Sequence, residues 1–434
     1  MNHLILTLPN PDKDFLKNFE TEIYQYLWDG KIHKVKKNII IQEYRFGGLK
    51  MIDYFEFITA LKSSWIRRLM QCRTKWKNLL EAIIKEKVNS LWLKGTDFIA
   101  DISNSINNIF WKEVFCSWIK IVKITADQIE NIPFEHIWSN PRLKINNELS
   151  YQKSFHRVGL SLIIDLFDTD GEFLSQETLK HFNVNMNFLD YAGLRRTVLK
   201  RIELCDIKNT KLAMQPFIPS TIAVFLKNIK GCKDMYNILI SKKKEPVKSI
   251  SKWKDEGFNI SDADWCKIFE LPYKTTKESK FHWLQFKILH RLIPTNIYLK
   301  KLKLTDSNLC TFCKLEAETI EHLFVDCPYV KEIWDAVEDM LLDRFNIPIA
   351  LNKTNILFGK FNTCNTYKVE NLLILIIKHY IFTCKYKSKK LNTDAILNVI
   401  TERFYVEKYL LLRNGEYAQY EKYWKKICDL LDNK

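Results

Sequence analysis

A chain of 434 residues has the length of about three domains, and its 47% hydrophobic and 13% aromatic content belongs to a globular protein with a substantial core. With only 11 Gly and 11 Pro there is little material for a long disordered linker. The formal charge of +16 bears on partners rather than on fold, and the longest aliphatic run, Leu372 to Ile377, falls far short of the roughly 20 residues of a membrane span.

In chain order, Asn10 and Pro11 form a helix-start signal. Phe15, Phe19, Ile23 and Tyr26 follow at helical spacing, and Gly30 is placed to stop the helix. Val35 to Ile41 reads as a strand broken at Gly47-Gly48. Asp53 starts a second helix that turns Ile58, Leu61, Trp65 and Leu69 inward and Lys62, Arg67 and Arg68 mostly outward. Helical pieces are expected over Trp76–Leu91 and Phe110–Ile124. Asp168, Asp170, Gly171 and Glu177 mimic a calcium loop, but Leu166 stands at its first ligand position, so a turn leading to a Ser175-capped helix is expected instead. Phe281, Leu284, Ile288, Leu289 and Leu292 form an apolar face opposite Lys280, Lys287 and Arg291, with Pro294 ending the helix and Thr295 capping the next. Val330, Ile333, Trp334, Val337, Met340 and Leu341 make a further amphipathic helix, and the chain closes on Tyr420, Trp424, Ile427 and Leu430. The expected fold is mostly α, with several helical segments, a few short strands and a small zinc knuckle. Four segments are expected: 1–130, an ill-defined mixed region 131–275, a zinc-binding domain 276–345 and a helical tail 346–434.

The most informative pattern is Cys310, Cys313, His322 and Cys327, spaced C-x2-C-x8-H-x4-C. A close cysteine pair chelates from a tight turn, and thiolate with imidazole is the donor set zinc prefers. Four protein ligands leave no open position for substrate, so the expected cofactor is one structural Zn2+. The 11 cysteines are odd in number, and the N-terminus lacks the charged start of a signal peptide. Both point to an intracellular protein, cytoplasmic or nuclear, without disulfides. The other cysteines (Cys72, Cys116, Cys205, Cys232, Cys266, Cys364, Cys384 and Cys428) are expected to pack as small hydrophobes.

The basic excess is uneven. Residues 280–314 contain Lys280, Lys287, Arg291, Lys300, Lys301, Lys303 and Lys314 against the single acid Asp306. A second cluster comprises Lys378, Lys385, Lys387, Lys389 and Lys390. Solvated helix faces account for many such runs. Here, however, three thiolates outweigh one divalent cation, and a net-negative knuckle flanked by lysines suits the approach of a polyanion.

These blocks together resemble the C-terminal part of LINE-type, non-LTR retrotransposon polyproteins. The zinc block is Trp283 to Arg291, Pro294-Thr295-Asn296, Cys310, Cys313, Glu321 to Phe324, Cys327-Pro328 and Trp334, and it is similar to the reverse-transcriptase zinc-binding domain. Leu27 to Lys31, Gly47-Gly48-Leu49 and Ala60 to Trp65 resemble the region that follows the polymerase there. A polymerase palm needs paired catalytic aspartates for its metal ions, and this sequence has no Asp-Asp dipeptide. The resemblance therefore implies a non-enzymatic nucleic-acid-binding piece of such an element.

On this reading the partner is RNA or single-stranded DNA, with no membrane. Lys287, Arg291, Lys300, Lys301, Lys303 and Lys314 contact phosphates, and Phe312 either stacks on a base or packs between the ligand cysteines. One alternative is a non-catalytic scaffold with an unidentified protein partner. Another is a metalloenzyme with a base among Glu316, Glu318 and Glu321, which four protein ligands disfavour.

Overall fold

The computed structural model describes residues 4, 7–30, 34–71, 75–84, 96–125, 129–138, 140, 142–145, 152–212, 232–345, 351–361 and 368–425. The protein is mostly helical, and the only β-pairing among the described residues is three isolated antiparallel bridges. Two compact units divide it, Met1–Lys31 with Ile52–Lys244, and Ile32–Met51 with Glu245–Lys434. These units cut across the four segments expected from sequence, because packing joins stretches that are distant along the chain.

In the first unit, α1 (Lys13–Leu27) is capped by Asp12, whose side chain accepts from Asp14 N–H at 3.0 Å. Asn10 is not the cap, since its N–H donates to the Glu113 carboxylate instead. The buried stripe is Leu16, Tyr24 and Trp28, while Phe15 and Tyr26 face solvent. This helix has apolar side chains on two adjoining stripes, so periodicity alone could not choose between them. Helices α2 (Tyr54–Gln71), α3 (Lys75–Ile84), α4 (Thr96–Ser105) and α5 (Ile109–Thr125) then build a core around Ile66, Leu69, Leu80, Ile102, Phe115 and Trp118. Part of the Trp76–Leu91 expectation lies outside the described residues.

Lys62 and Arg67 are buried, contrary to their expected outward orientation. Lys62 is accommodated because its Nζ lies 3.2 Å from Glu113 Oε2, donates to Leu8 O and sits 4.2 Å from the Phe110 ring centre. A buried ammonium without such partners would be costly. A second cluster gathers Trp138, Phe155, Ile163, Leu179, Leu194 and Val198, the last two from α6 (Phe188–Arg201). Within it Asp168 closes a turn, accepting from Asp170 and Glu172 N–H, and Ser175 caps Gln176–His181 as expected. The unit ends with α7 (Lys233–Ser241).

In the second unit the expected strand at Val35–Ile41 is a helical turn, Lys37–Ile40, that buries Ile39 and Ile40. A Cβ on Gly48 would lie 2.1 Å from Gln42 O and 2.6 Å from Ile39 O, so the turn admits no side chain there. Helices α8 (Asp262–Thr275) and α9 (Ser279–Leu289) follow, and Gly47 O is held by His290 Nε2 at 2.8 Å. Helix α9 stops well before Pro294, because Arg291 adopts a left-handed conformation, φ 58°, and Leu292 N–H closes on Lys287 O.

After α10 (Asn296–Lys301) come α11 (Pro328–Phe345), α12 (Lys368–Tyr386) and α13 (Thr393–Arg413). Helix α11 buries all six residues of its expected apolar face. The Leu372–Ile377 run is buried in α12. Tyr420 and Trp424 are buried as expected, while Ile427 and Leu430 lie outside the described residues.

His290 offers a test of this packing. Burial drives its pKa down to about 4 from an ordinary value near 6.5, so the folded protein holds the ring neutral. The unfolded chain then binds the extra proton between these values, and stability falls as pH drops from about 6.5 towards 4. In a His290→Gln variant, the urea midpoint is expected to depend less on pH across that window. An unchanged pH profile would contradict the assignment.

Candidate metal centre

The second unit assembles the four expected ligands from three local structures. Leu309 and Ala317 form an antiparallel bridge. Cys310 N–H donates to Glu316 O at 2.7 Å, and Glu318 N–H donates to Asn308 O at 2.9 Å. The turn between them reverses because Lys314 is left-handed, φ 57°, and its N–H donates to Cys310 O at 3.1 Å. Cys310 and Cys313 therefore lie on the inside of one tight loop. Phe312 N–H approaches Cys310 Sγ at 3.4 Å and Leu315 N–H approaches Cys313 Sγ at 3.5 Å. The Phe312 donor favours the thiolate form of Cys310 over the thiol.

His322 opens a π-helical turn, His322–Asp326, and is buried there. Thr319 Oγ1 accepts from its N–H at 2.9 Å, and Trp334 Nε1 donates to Phe324 O at 2.9 Å, which holds this turn against α11. Cys327 stands immediately before α11, whose first residue is Pro328, and its carbonyl accepts from Val330 and Lys331 N–H. The positive end of the helix dipole thus lies beside a ligand that must be anionic.

Cys310 Sγ and Cys327 Sγ are 3.8 Å apart, Cys313 Sγ and His322 Nε2 are 3.3 Å apart, and all four donor atoms lie within 4.8 Å of one another. A tetrahedral zinc with Zn–S near 2.3 Å and Zn–N near 2.0 Å separates its ligands by roughly 3.5–3.8 Å. The residues fit the ion. The contact between the Cys310 and Cys327 sulfurs holds the Cys310 thiol down to about 5 and pushes that of Cys327 up. Zinc would hold all three sulfurs as thiolates and close the turn, with no position left for a substrate.

Glu316, Glu318 and Glu321 take three different positions around the site. Glu316 places a carboxylate oxygen 3.0 Å from His322 Nδ1, off the axis of a good hydrogen bond and on the side of the ring away from the sulfurs. A carboxylate at that nitrogen is the kind of group that orients a metal-binding histidine. Glu321 lies 3.4 Å from Arg291.

Glu318 is fully buried and forms a node that sequence reasoning missed. It accepts from Asn296 N–H at 2.9 Å, from Thr311 N–H at 2.7 Å and from Thr311 Oγ1 at 2.7 Å. Lys385 Nζ pairs with it at 2.5 Å and also reaches Thr311 Oγ1 and Asn296 Oδ1. Glu318 thereby caps α10, a role expected of Thr295, whose side chain makes no capping bond. No local sequence signal marks this pair, because its partners are 67 residues apart.

The basic residues separate into two groups. Lys300, Lys301, Lys303 and Lys314 are exposed, and among the described residues none of them makes an ion pair. Phe312 is half-buried on the zinc turn. Lys287 Nζ sits 5.1 Å from the Trp283 ring centre. Arg291 is not a surface cation: its Nη2 donates to Glu256 Oε1 at 2.6 Å, and its guanidinium lies 4.3 Å from the Trp253 ring centre. Of the second cluster, Lys378 is fully buried and donates to Gln285 Oε1 at 2.5 Å, and burial lowers its pKa to about 7. Other expected core cysteines also differ. Cys384 is buried, but Cys116 is exposed and Cys205, Cys232 and Cys266 are half-buried. Cys72, Cys364 and Cys428 lie outside the described residues.

Residues 232–334 match the family model for zinc-binding in reverse transcriptase. The match contains Cys310, Cys313, His322 and Cys327, so this segment is similar to the zinc-binding segment of reverse transcriptases. Residues 335–434 of the second unit, including Lys385, lie beyond it. No described helix is long and apolar enough to cross a membrane.

Proposed function

We propose that this chain is a zinc-stabilised nucleic-acid-binding part of a LINE-type, non-LTR retrotransposon reverse transcriptase, acting on RNA or single-stranded DNA. In this role it binds and does not itself catalyse. The observation that carries the reading is the set of exposed lysines, Lys300, Lys301, Lys303 and Lys314, none of which makes an ion pair among the described residues, on and beside a four-residue cluster that could hold a metal. A closed site suits a staple, and exposed cations beside it suit phosphate.

Lys300, Lys301 and Lys303 release counterions on binding in this scheme, at about 0.7 of a unit of salt slope per phosphate on single strands. Lys300→Gln/Lys301→Gln/Lys303→Gln is expected to flatten the slope of log K against log salt by about 2. Fluorescence anisotropy over a salt series measures it. A triple variant with wild-type affinity and slope would remove the basis for the proposal.

Exposed Leu302, Leu304 and Leu315 on the same stretch favour a second reading, a protein-binding scaffold. That reading expects saturable capture of a protein and RNA affinity independent of salt.

A further inference from the structure

We infer that the turn Tyr386–Lys390, outside the matched zinc-binding segment, is the second half of a single-stranded nucleic-acid surface and that the Glu318–Lys385 pair places it beside the zinc turn. The inference rests on the nucleic-acid reading above and extends it to residues that the sequence had left as a separate basic cluster.

The placement follows from the ion-pair node. Lys385 Nζ lies 3.1 Å from Thr311 Oγ1, the residue next to the ligand Cys310, and 3.2 Å from Asn296 Oδ1 at the start of α10. The last turn of α12 is therefore fixed against both the zinc turn and the helix that carries Lys300 and Lys301. Immediately after it the chain turns sharply. Ser388 is left-handed, φ 51°, and Lys389 N–H closes back on Cys384 O at 2.8 Å. Two residues along a backbone span at most about 7 Å, so Lys387 cannot stray far from the node.

Tyr386, Lys387, Ser388, Lys389 and Lys390 are all exposed, Tyr386 at 80%. Among the described residues Lys387, Lys389 and Lys390 make no ion pair. Cations at a helix C-terminus offset its dipole, but that effect fades beyond the last turn, so it does not account for Lys389 and Lys390. Lys300, Lys301, Lys303 and Lys314 are exposed as well, as are the acidic Asp306, Glu316 and Asp394, and the Lys385 contacts to Asn296 and Thr311 bring the two basic segments to the same end of the unit.

The exposed face of α11 has the opposite character. Glu332, Asp335, Asp339 and Asp343 line it at helical spacing and would repel a polyanion. Tyr386 adds an exposed aromatic face among the lysines, the combination that holds a strand with unpaired bases: cations track the phosphates and a ring stacks on a base. A duplex hides its base faces and would gain only the charge.

The test uses the full chain with bound zinc and labelled oligouridylate, its deoxythymidylate counterpart and a duplex of equal length. Anisotropy over a salt series would compare wild type, Lys387→Gln/Lys389→Gln/Lys390→Gln, the Lys300/Lys301/Lys303 triple variant and Tyr386→Ala. The Lys387 triple variant is expected to flatten the salt slope by about 2, as the Lys300 set does. Tyr386→Ala is expected to weaken single-strand binding roughly five- to a hundredfold and duplex binding little.

All substituted positions are exposed, so zinc content and melting temperature should match wild type and report on folding. If the Lys300 set flattens the slope and the Lys387 set does not, the inference falls while the nucleic-acid reading stands. If neither set changes binding, both fall. Equal loss of single-strand and duplex binding in Tyr386→Ala would overturn the stacking role.

Discussion

Cys310→Ser is expected to reduce bound zinc from one equivalent to nearly none and to lower the melting temperature of the protein by at least about 10 °C. Serine keeps the size of the side chain but supplies no thiolate, and three remaining ligands hold zinc far less tightly. Structural zinc contributes apparent binding free energies of about 10–16 kcal/mol in small zinc peptides. That is comparable to the whole stability of a typical domain. The second unit should not unfold outright, however, because α9, α11 and α12 bury an extensive apolar core of their own.

Loss should therefore be concentrated in residues 308–327, where the hairpin turn, His322 and Cys327 depend on one another. For a unit of this size, 10 °C corresponds to about 3–5 kcal/mol, a fraction of the zinc energy that a partly retained fold allows. Metal content by mass spectrometry and thermal unfolding with and without chelator measure both effects. Cys116→Ser, at an exposed cysteine on α5, should change neither. Full zinc occupancy in Cys310→Ser would mean that the ligand set is wrong.

The clustering of Cys310, Cys313, His322 and Cys327 was legible in the sequence because metal chelation imposes a local rule. Cys310 and Cys313 must share one turn, and their identity and spacing announce it. The helices were legible for a similar reason: Val330 to Leu341 repeats at the helical period, and a single apolar face leaves one way to bury it. Where a helix offered two apolar stripes, as α1 does, periodicity could not decide, and the packing chose Leu16 and Tyr24 over Phe15 and Tyr26. Charged residues were the least legible. Lys62, Arg67 and Lys378 read as surface cations and are buried. Lys62 and Lys378 are held by Leu8 O, Glu113, Gln285 and Leu357 O, partners distant in sequence. Lys385 is the sharpest case, since nothing near it in the chain signals that it belongs to the zinc turn.

The pair that Lys385 makes leads to the second large effect. Lys385→Met is expected to destabilise the second unit by about 3–5 kcal/mol, because it strands the fully buried Glu318 carboxylate without its counter-charge. Glu318→Gln should cost stability by a different route: one amide N–H would face the Asn296 and Thr311 donors that now converge on an all-acceptor group. It should also weaken zinc by about 10- to 100-fold, the usual cost of losing a group that orients a metal-binding loop. The double variant Glu318→Gln/Lys385→Met removes both charges and should recover part of the loss seen in Lys385→Met, since an uncharged buried pair no longer requires compensation. Chemical denaturation of the four proteins closes the cycle, and competition with a chromophoric chelator gives zinc affinity. A purely additive double variant would show that the two residues do not act together. Unchanged zinc affinity in Glu318→Gln would show that the node supports α10 and α12 without setting the geometry of the metal centre.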